Sequence, residues 1–222
     1  MDVTVITADI VRSREEPGYI RDLPSKLGGL THPLLITPFS ISRGDEIQAV
    51  CRGVLEAPEL VRWLRYVCRP LKLRVGLGVG DIESGRESTS SWDMNGSAFI
   101  RAREALERLK QPRGGKTPRA RDSSTARITS VSSGDPVADY IAQAMFGLID
   151  AIQARWTSEQ WEAVHKYELL GTYKAAGEAL GIAFQNVQKR CRNARWTQVR
   201  EAELALKALG ELLKREYSSS PG

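Results

Sequence analysis

Apolar and polar positions change period several times along the chain, and those changes mark its elements. Val3-Thr4-Val5-Ile6-Thr7-Ala8 is β-rich and nearly continuous in apolar character, which predicts a central buried strand. Leu34 to Ser40 leads into Ile41 to Val50, which reads as strand, tight turn, strand, with Ile41, Ile47 and Ala49 turned one way and Arg43 and Gln48 off the core. Pro38 predicts an edge position or a bulge. From Pro58 to Cys68 the spacing becomes helical, with Leu60, Val61, Leu64 and Val67 on the apolar side and Arg62 and Arg65 between them.

Leu71 to Gly80 alternates strictly, so it predicts a strand with one packed face. The opposite face carries Gly76, Gly78 and Gly80, bare enough for another backbone or a flat ligand to approach closely. Ser97 to Leu109 predicts a helix with Ala98, Ala102, Ala105, Leu106 and Leu109 on one stripe, and Ala126 to Val131 returns to a strand pattern. Val137 to Gln153 predicts an amphipathic helix whose apolar side is Ile141, Met145, Leu148, Ile149 and Ile152. A brief helix is expected within residues 20–30, and Gln111 to Ser124, rich in Pro, Gly, Arg, Lys and Ser, reads as a loop or a disordered excursion of basic character.

After Gln153 the pattern is wholly helical. Thr157-Ser158-Glu159-Gln160 is a helix-start signal followed by Trp161, Val164 and Leu169. Tyr173 to Arg190 has a helix-turn-helix pattern: Gly177 lets two helices approach, Gly181 makes the turn, and Val187 buries the second helix on the first. That second helix offers Gln185, Asn186, Gln188, Lys189, Arg190 and Arg192, and no acid occurs from Phe184 to Arg200. Amides suit base edges, and cationic groups suit phosphates or guanine, so double-stranded DNA is the expected partner, read by a homodimer. The alternative is a structural helical hairpin with a basic solvated face.

Composition narrows the rest. The 222 residues carry a net charge of +5, which permits nucleic acid or nucleotide partners without demanding them. Cys51, Cys68 and Cys191 are odd in number and far apart, which suggests reduced thiols in a cytoplasm and argues against a disulfide framework or a zinc site. The opening segment has no signal-peptide pattern, and no stretch is long enough to span a bilayer.

Candidate chemistry lies at two places in the N-terminal half. Asp9 stands where the first strand emerges, with Arg12 and Arg14 beyond it. Gly44-Asp45-Glu46 sets two carboxylates at the hairpin turn, good material for a hard divalent cation, although a solvated turn is the plainer reading of an isolated Gly-Asp-Glu.

Ala8-Asp9-Ile10-Val11, Gly44-Asp45, Arg74 to Gly80, and Trp92-Asp93 through Gly96 with Ala102, in that order, resemble the catalytic core of class III nucleotide cyclases and the wider palm-like superfamily over roughly residues 1–110. The Gly44-Asp45-Glu46-Ile47 run is also similar to diguanylate cyclases. With the C-terminal helices added, the whole chain resembles the SatD family, which joins such a domain to a helix-turn-helix; Asp9 to Arg14, Gly44 to Glu46 and Ala102 to Leu106 carry that closer match.

The resemblance implies that Asp9, Asp45 and the Ile10 carbonyl, with Glu46 beside them, hold one or two Mg²⁺ or Mn²⁺ ions on a nucleoside triphosphate. It further implies that Arg12, Arg14 and Gly44 lie near phosphates and Asp93 near the base. Where cyclases carry a base-reading lysine the chain has Ile41, and where they carry an asparagine and an arginine it has Ile100 and Glu104, beside Arg101 and Arg103. Those departures favour nucleotide binding, or another nucleotidyl transfer, over cyclic nucleotide synthesis.

The expected fold is therefore α+β: a cyclase-like, ferredoxin-like sheet with helices on one face over residues 1–133, a linker helix over 134–155, and an all-α helix-turn-helix domain over 156–222. The expected function is a DNA-binding regulator that senses a nucleotide with a divalent metal. The alternative is an active nucleotidyltransferase or cyclase with the C-terminal domain as its nucleic-acid sensor.

Overall fold

Why the central strand reads as apolar on both sides becomes clear from its neighbours. The computed structural model describes residues 2–13, 17–42, 45–110 and 128–219. Strand β1 (Asp2–Ile10) lies in the middle of a five-stranded sheet of order β2-β3-β1-β4-β5. The others are β2 (Leu35–Ile41), β3 (Glu46–Arg52), β4 (Leu73–Asp81) and β5 (Thr129–Ser132). β1 pairs antiparallel with β3 and β4, β2 pairs antiparallel with β3, and β5 runs parallel to β4. β2 is an edge strand with two register shifts, between Leu35 and Thr37 and between Thr37 and Ser40, as Pro38 foretells.

Two short helices, α1 (Pro17–Arg21) and α2 (Leu23–Gly28), precede β2, and α3 (Glu59–Cys68) follows β3. α4 (Ser97–Lys110) and α5 (Pro136–Gln153) flank β5 in sequence. One sheet face carries Ile6, Ala8, Ile47, Ala49, Val75 and Leu77 and packs into a large core with Leu23 and Leu27 of α2, Leu60 and Leu64 of α3, and Phe146 and Ile149 of α5.

Helices were expected on one face only, and the structure differs: α4 covers the opposite face, where Ala98 and Ala102 pack with Val3, Val5 and Val50. The glycines of β4 are the physical reason. A Cβ on Gly78 would sit 2.1 Å from both the Ala102 nitrogen and the Ala98 oxygen, and one on Gly76 would meet the Ala102 oxygen at 2.4 Å. The bare strip is therefore filled by the backbone of a helix, not by a flat ligand.

Four further helices complete the described chain: α6 (Ser158–Leu170), α7 (Tyr173–Leu180), α8 (Phe184–Asn193) and α9 (Trp196–Ser219). Thr157 starts α6 with a capping box closed by Gln160, and Gly171 ends it in the left-handed conformation. α6, α7 and α8 pack on one another, while α9 runs back beside α5. α9 also rests on the sheet unit: Gly210 lies against the Val54 carbonyl, Lys207 pairs with Glu59 at 2.8 Å, and Lys214 pairs with Glu56. No helix among the described residues is long and apolar enough to cross a membrane.

Candidate functional site

Asp9 and Glu46 are register partners on β1 and β3, and Asp9 and Arg74 are register partners on β1 and β4. Residues directly opposite in a ladder share a sheet face, so Glu46, Asp9 and Arg74 form one row across three strands. The next row is Ser40, Gln48, Thr7 and Gly76. Gln48 is thus off the main core as expected, yet it is buried, on the face that α4 covers. The Thr7 hydroxyl donates to Glu46 Oε1 at 3.0 Å, and the Ile10 N–H donates to the Asp45 carbonyl at 3.4 Å.

This end of the sheet is polar because α4 finishes over it. Lys110, at the last position of α4, brings Nζ to 3.7 Å from Asp9 Oδ2, and Arg74 approaches the same oxygen at 3.5 Å. A hydrogen bond to Glu107 holds the Lys110 ammonium above its usual range, with Asp9 and Glu46 adding to that shift. Neither cation was singled out from the sequence, although simple periodicity reaches both. Arg74 is two residues before Gly76 on the strand, and Lys110 is one turn beyond Leu106 on the helix.

The remaining candidates stand as follows. Arg12 is exposed just past β1, with φ +57°. Asp93 is exposed in a single 3₁₀ turn, Ser91–Asp93, and accepts from the Ser88 hydroxyl at 3.1 Å. Its neighbour Trp92 donates Nε1–H to Ser40 Oγ at 2.9 Å, which ties that turn to the polar row on β2. Arg14 and Gly44 lie outside the described residues. Ile100 and Glu104, which replace cyclase residues, are exposed on α4, while Arg101 beside them donates to the Val79 carbonyl at 2.7 Å.

Among the described residues no group of three or more His, Cys, Asp or Glu is arranged to hold a metal ion. Two neighbouring acids on a strand pair, Asp9 and Glu46, fit the protein's share of a Mg²⁺ site only when phosphate oxygens complete the shell.

The second candidate surface is α8. Thr172 caps α7, Gly181 ends it at φ +65°, and the chain turns directly into α8. A Cβ on Gly177 would come within 2.8 Å of the Ile182 carbonyl, so the small residue sets the closeness of the two helices. Val187 and Cys191 are buried, whereas Gln185, Asn186, Gln188, Lys189 and Arg192 are exposed and Arg190 is half-buried. Beside the end of α8 lies a hollow of about 610 Å³ lined by Gln188, Arg192, Arg195 and Gln198 together with Tyr173 and Trp196. The base of this unit is fixed by Trp156, which donates to the Ala194 carbonyl at 2.7 Å and meets Trp161 edge-on.

These features define an α+β protein in which a mixed five-stranded sheet carries an appended helical unit with a basic, amide-rich outer helix. A model of the SatD family matches residues 8–191, and the chain belongs to that family. Comparison with curated proteins and with solved structures returned no match.

Proposed function

We propose that this protein is a DNA-binding transcriptional regulator whose N-terminal sheet domain binds a nucleotide together with a divalent cation. The observation that carries the reading is the outward face of α8, where Gln185, Asn186, Gln188, Lys189 and Arg192 stand exposed while Val187 and Cys191 anchor the helix. α7, the Gly181 turn and α8 act as a helix-turn-helix, with α8 in the major groove and the basic side chains on flanking phosphates. One such unit contacts only a half-site, so two copies of the chain bind together.

For the N-terminal half, the strand order supports a palm-like, ferredoxin-like domain: β1 to β4 follow a β-α-β-β-α-β course with neighbours in the order β4, β1, β3, β2. Asp9 and Glu46, next to Asp45, would hold Mg²⁺ or Mn²⁺ delivered with a nucleoside triphosphate; the ion would neutralise phosphate charge. Arg74 and Lys110 neutralise Asp9 otherwise, and Arg12 stands near enough in sequence to meet a phosphate.

The test is selection of duplexes from a randomised pool by the full chain, followed by affinity against salt. An enriched inverted repeat bound with a negative salt slope is expected, and no duplex binding at low salt overturns the DNA reading. A melting scan tests the nucleotide reading. Mg²⁺ alone should leave Tm unchanged, Mg²⁺ with ATP or GTP should raise it, and Asp9→Asn should abolish the rise. A labelled product formed from the triphosphate would point instead to the nucleotidyltransferase alternative.

A further inference from the structure

α5 is apolar all round. Its inward side, with Ala138, Ala142, Phe146 and Ile149, is buried against the sheet. Its outward side is apolar too. Val137 is 68% exposed, Tyr140 78%, Ile141 37% and Leu148 66%, and Ala144 and Ala151 are exposed between and beyond them. Positions 137, 141, 144, 148 and 151 advance by four, three, four and three residues, the spacing of a seam between packed helices. The only charged residues within the helix, Asp139 and Asp150, are both engaged elsewhere. Asp139 accepts from the Ser133 backbone and hydroxyl, and Asp150 accepts from Ile128, Thr129 and Arg65. A helix with apolar residues on every side is normally a buried one.

We propose that this face is covered by a second copy of the same chain, with the two α5 helices antiparallel and the two-fold axis at Ala144. In that arrangement position n meets position 288 − n, so that two of the large groups fall on small ones. Val137 lies over Ala151, Ile141 meets Leu148 within one position, and Tyr140 lands beside Gly147. Gly147 is the second observation. A glycine in a helix interior is less stabilising than an alanine. Among the described residues of one chain nothing requires it, because a Cβ there would meet no atom beyond the helix's own backbone within 4 Å. Room beside Gly147 admits the Tyr140 ring of the partner copy.

The size is also right. The outward side chains of α5, with Leu204 and Leu212 exposed on α9, which packs against it, present on the order of 600 Å², against about 800 Å² per partner in a standard interface. An uncharged, self-complementary stripe fits a copy of itself better than an acidic or basic partner. The proposal says where two chains meet and stands without DNA, so its test is separate from that of the DNA reading.

The experiment is the mass of the full chain in solution at micromolar concentration, by light scattering without nucleic acid. The expected result is twice the mass of one chain, falling to one chain in Leu148→Arg with helix content retained by circular dichroism. Ala144→Cys should cross-link to itself under mild oxidation, while Val137→Cys should do so only when Ala151→Cys is present as well. The three natural cysteines are buried and do not compete. A monomeric wild type, a Leu148→Arg variant that stays dimeric, or efficient self-linking of Val137→Cys alone each overturns it.

Discussion

Arg62 on α3 and Glu203 on α9 are 141 positions apart, yet Arg62 Nε donates to Glu203 Oε1 at 2.9 Å with both side chains buried. The same guanidinium makes a two-pronged contact with Glu168 of α6 and lies 4.6 Å from the Trp196 ring centre. Trp63 adds its Nε1–H to Glu168 at 2.8 Å. One cation thus ties the sheet unit to two helices of the C-terminal unit. Burial opposes the Arg62 charge, but Glu203 and Glu168 outweigh it and hold the guanidinium above its usual range. Burial pushes the Glu203 carboxyl up, which Arg62 counters in part.

Arg62→Met should therefore cost about 3–5 kcal/mol in urea unfolding, because it strands a buried carboxylate. The double variant Arg62→Met with Glu203→Leu should be the more stable of the two, since it removes the stranded charge. If the double variant is as damaged as the single losses summed, the network is not acting as a unit.

A pH dependence follows from the neighbouring contact. His165 of α6 stacks on Tyr66 of α3 with ring centres 3.9 Å apart, and its Nδ1 is buried without a hydrogen-bond partner among the described residues. Burial lowers its pKa, Arg62 and Lys166 act in the same direction, and Glu168 opposes them. In the unfolded chain the imidazole takes up a proton near pH 6.5. The folded chain binds it only at lower pH. The unfolded state therefore holds more protons in that interval, and this part of the stability falls as pH drops below about 6.5. His165→Phe keeps a stacked ring and removes the titration. Its urea midpoint should fall less than that of the wild type over the same acid interval, and parallel curves would count against the assignment.

How much of this was legible in sequence depends on how local the cause is. The period of β1, the strict alternation of β4 and the Gly181 turn are local patterns, and each element formed where its pattern lies. The adjacency of Asp9 and Glu46 required only that the first strand pair with the hairpin. Arg62 was not legible, because an arginine between apolar helix positions reads as solvated until a partner 141 residues away arrives. α5 misled for the opposite reason. Ile141 and Leu148 were expected on its buried side, but a helix apolar all round gives periodicity no direction, and the sheet took the face of Ala138, Ala142 and Phe146 instead.

The glycine strip gives a prediction that separates packing from ligand binding. Gly78→Ala would drive a methyl group into the backbone of α4, where no rotamer change can make room. A destabilisation of at least about 1–3 kcal/mol is expected in chemical denaturation, with the loss centred on α4 in hydrogen exchange. An unchanged denaturation midpoint would mean that α4 is not seated on β4 as described.

The outer face of α8 gives the most discriminating prediction, because its two kinds of side chain should fail differently. Lys189 and Arg192 carry charge, so Lys189→Ala and Arg192→Ala should weaken binding to all duplexes alike and reduce the salt slope by about 1 each. Gln185 and Asn186, at the start of the helix, offer paired donors and acceptors suited to adenine edges. Gln185→Ala and Asn186→Ala should leave the salt slope alone and relax the sequence preference, at about 1–3 kcal/mol for a good bidentate contact. All four side chains are exposed, so none of these changes should move Tm. Val187→Ala opens the buried side instead and should lower Tm first and binding only through it. Anisotropy titrations on selected and scrambled duplexes at two salt concentrations distinguish these outcomes. If all four surface variants lose affinity by the same factor on both duplexes, α8 is a basic face and not a reading helix.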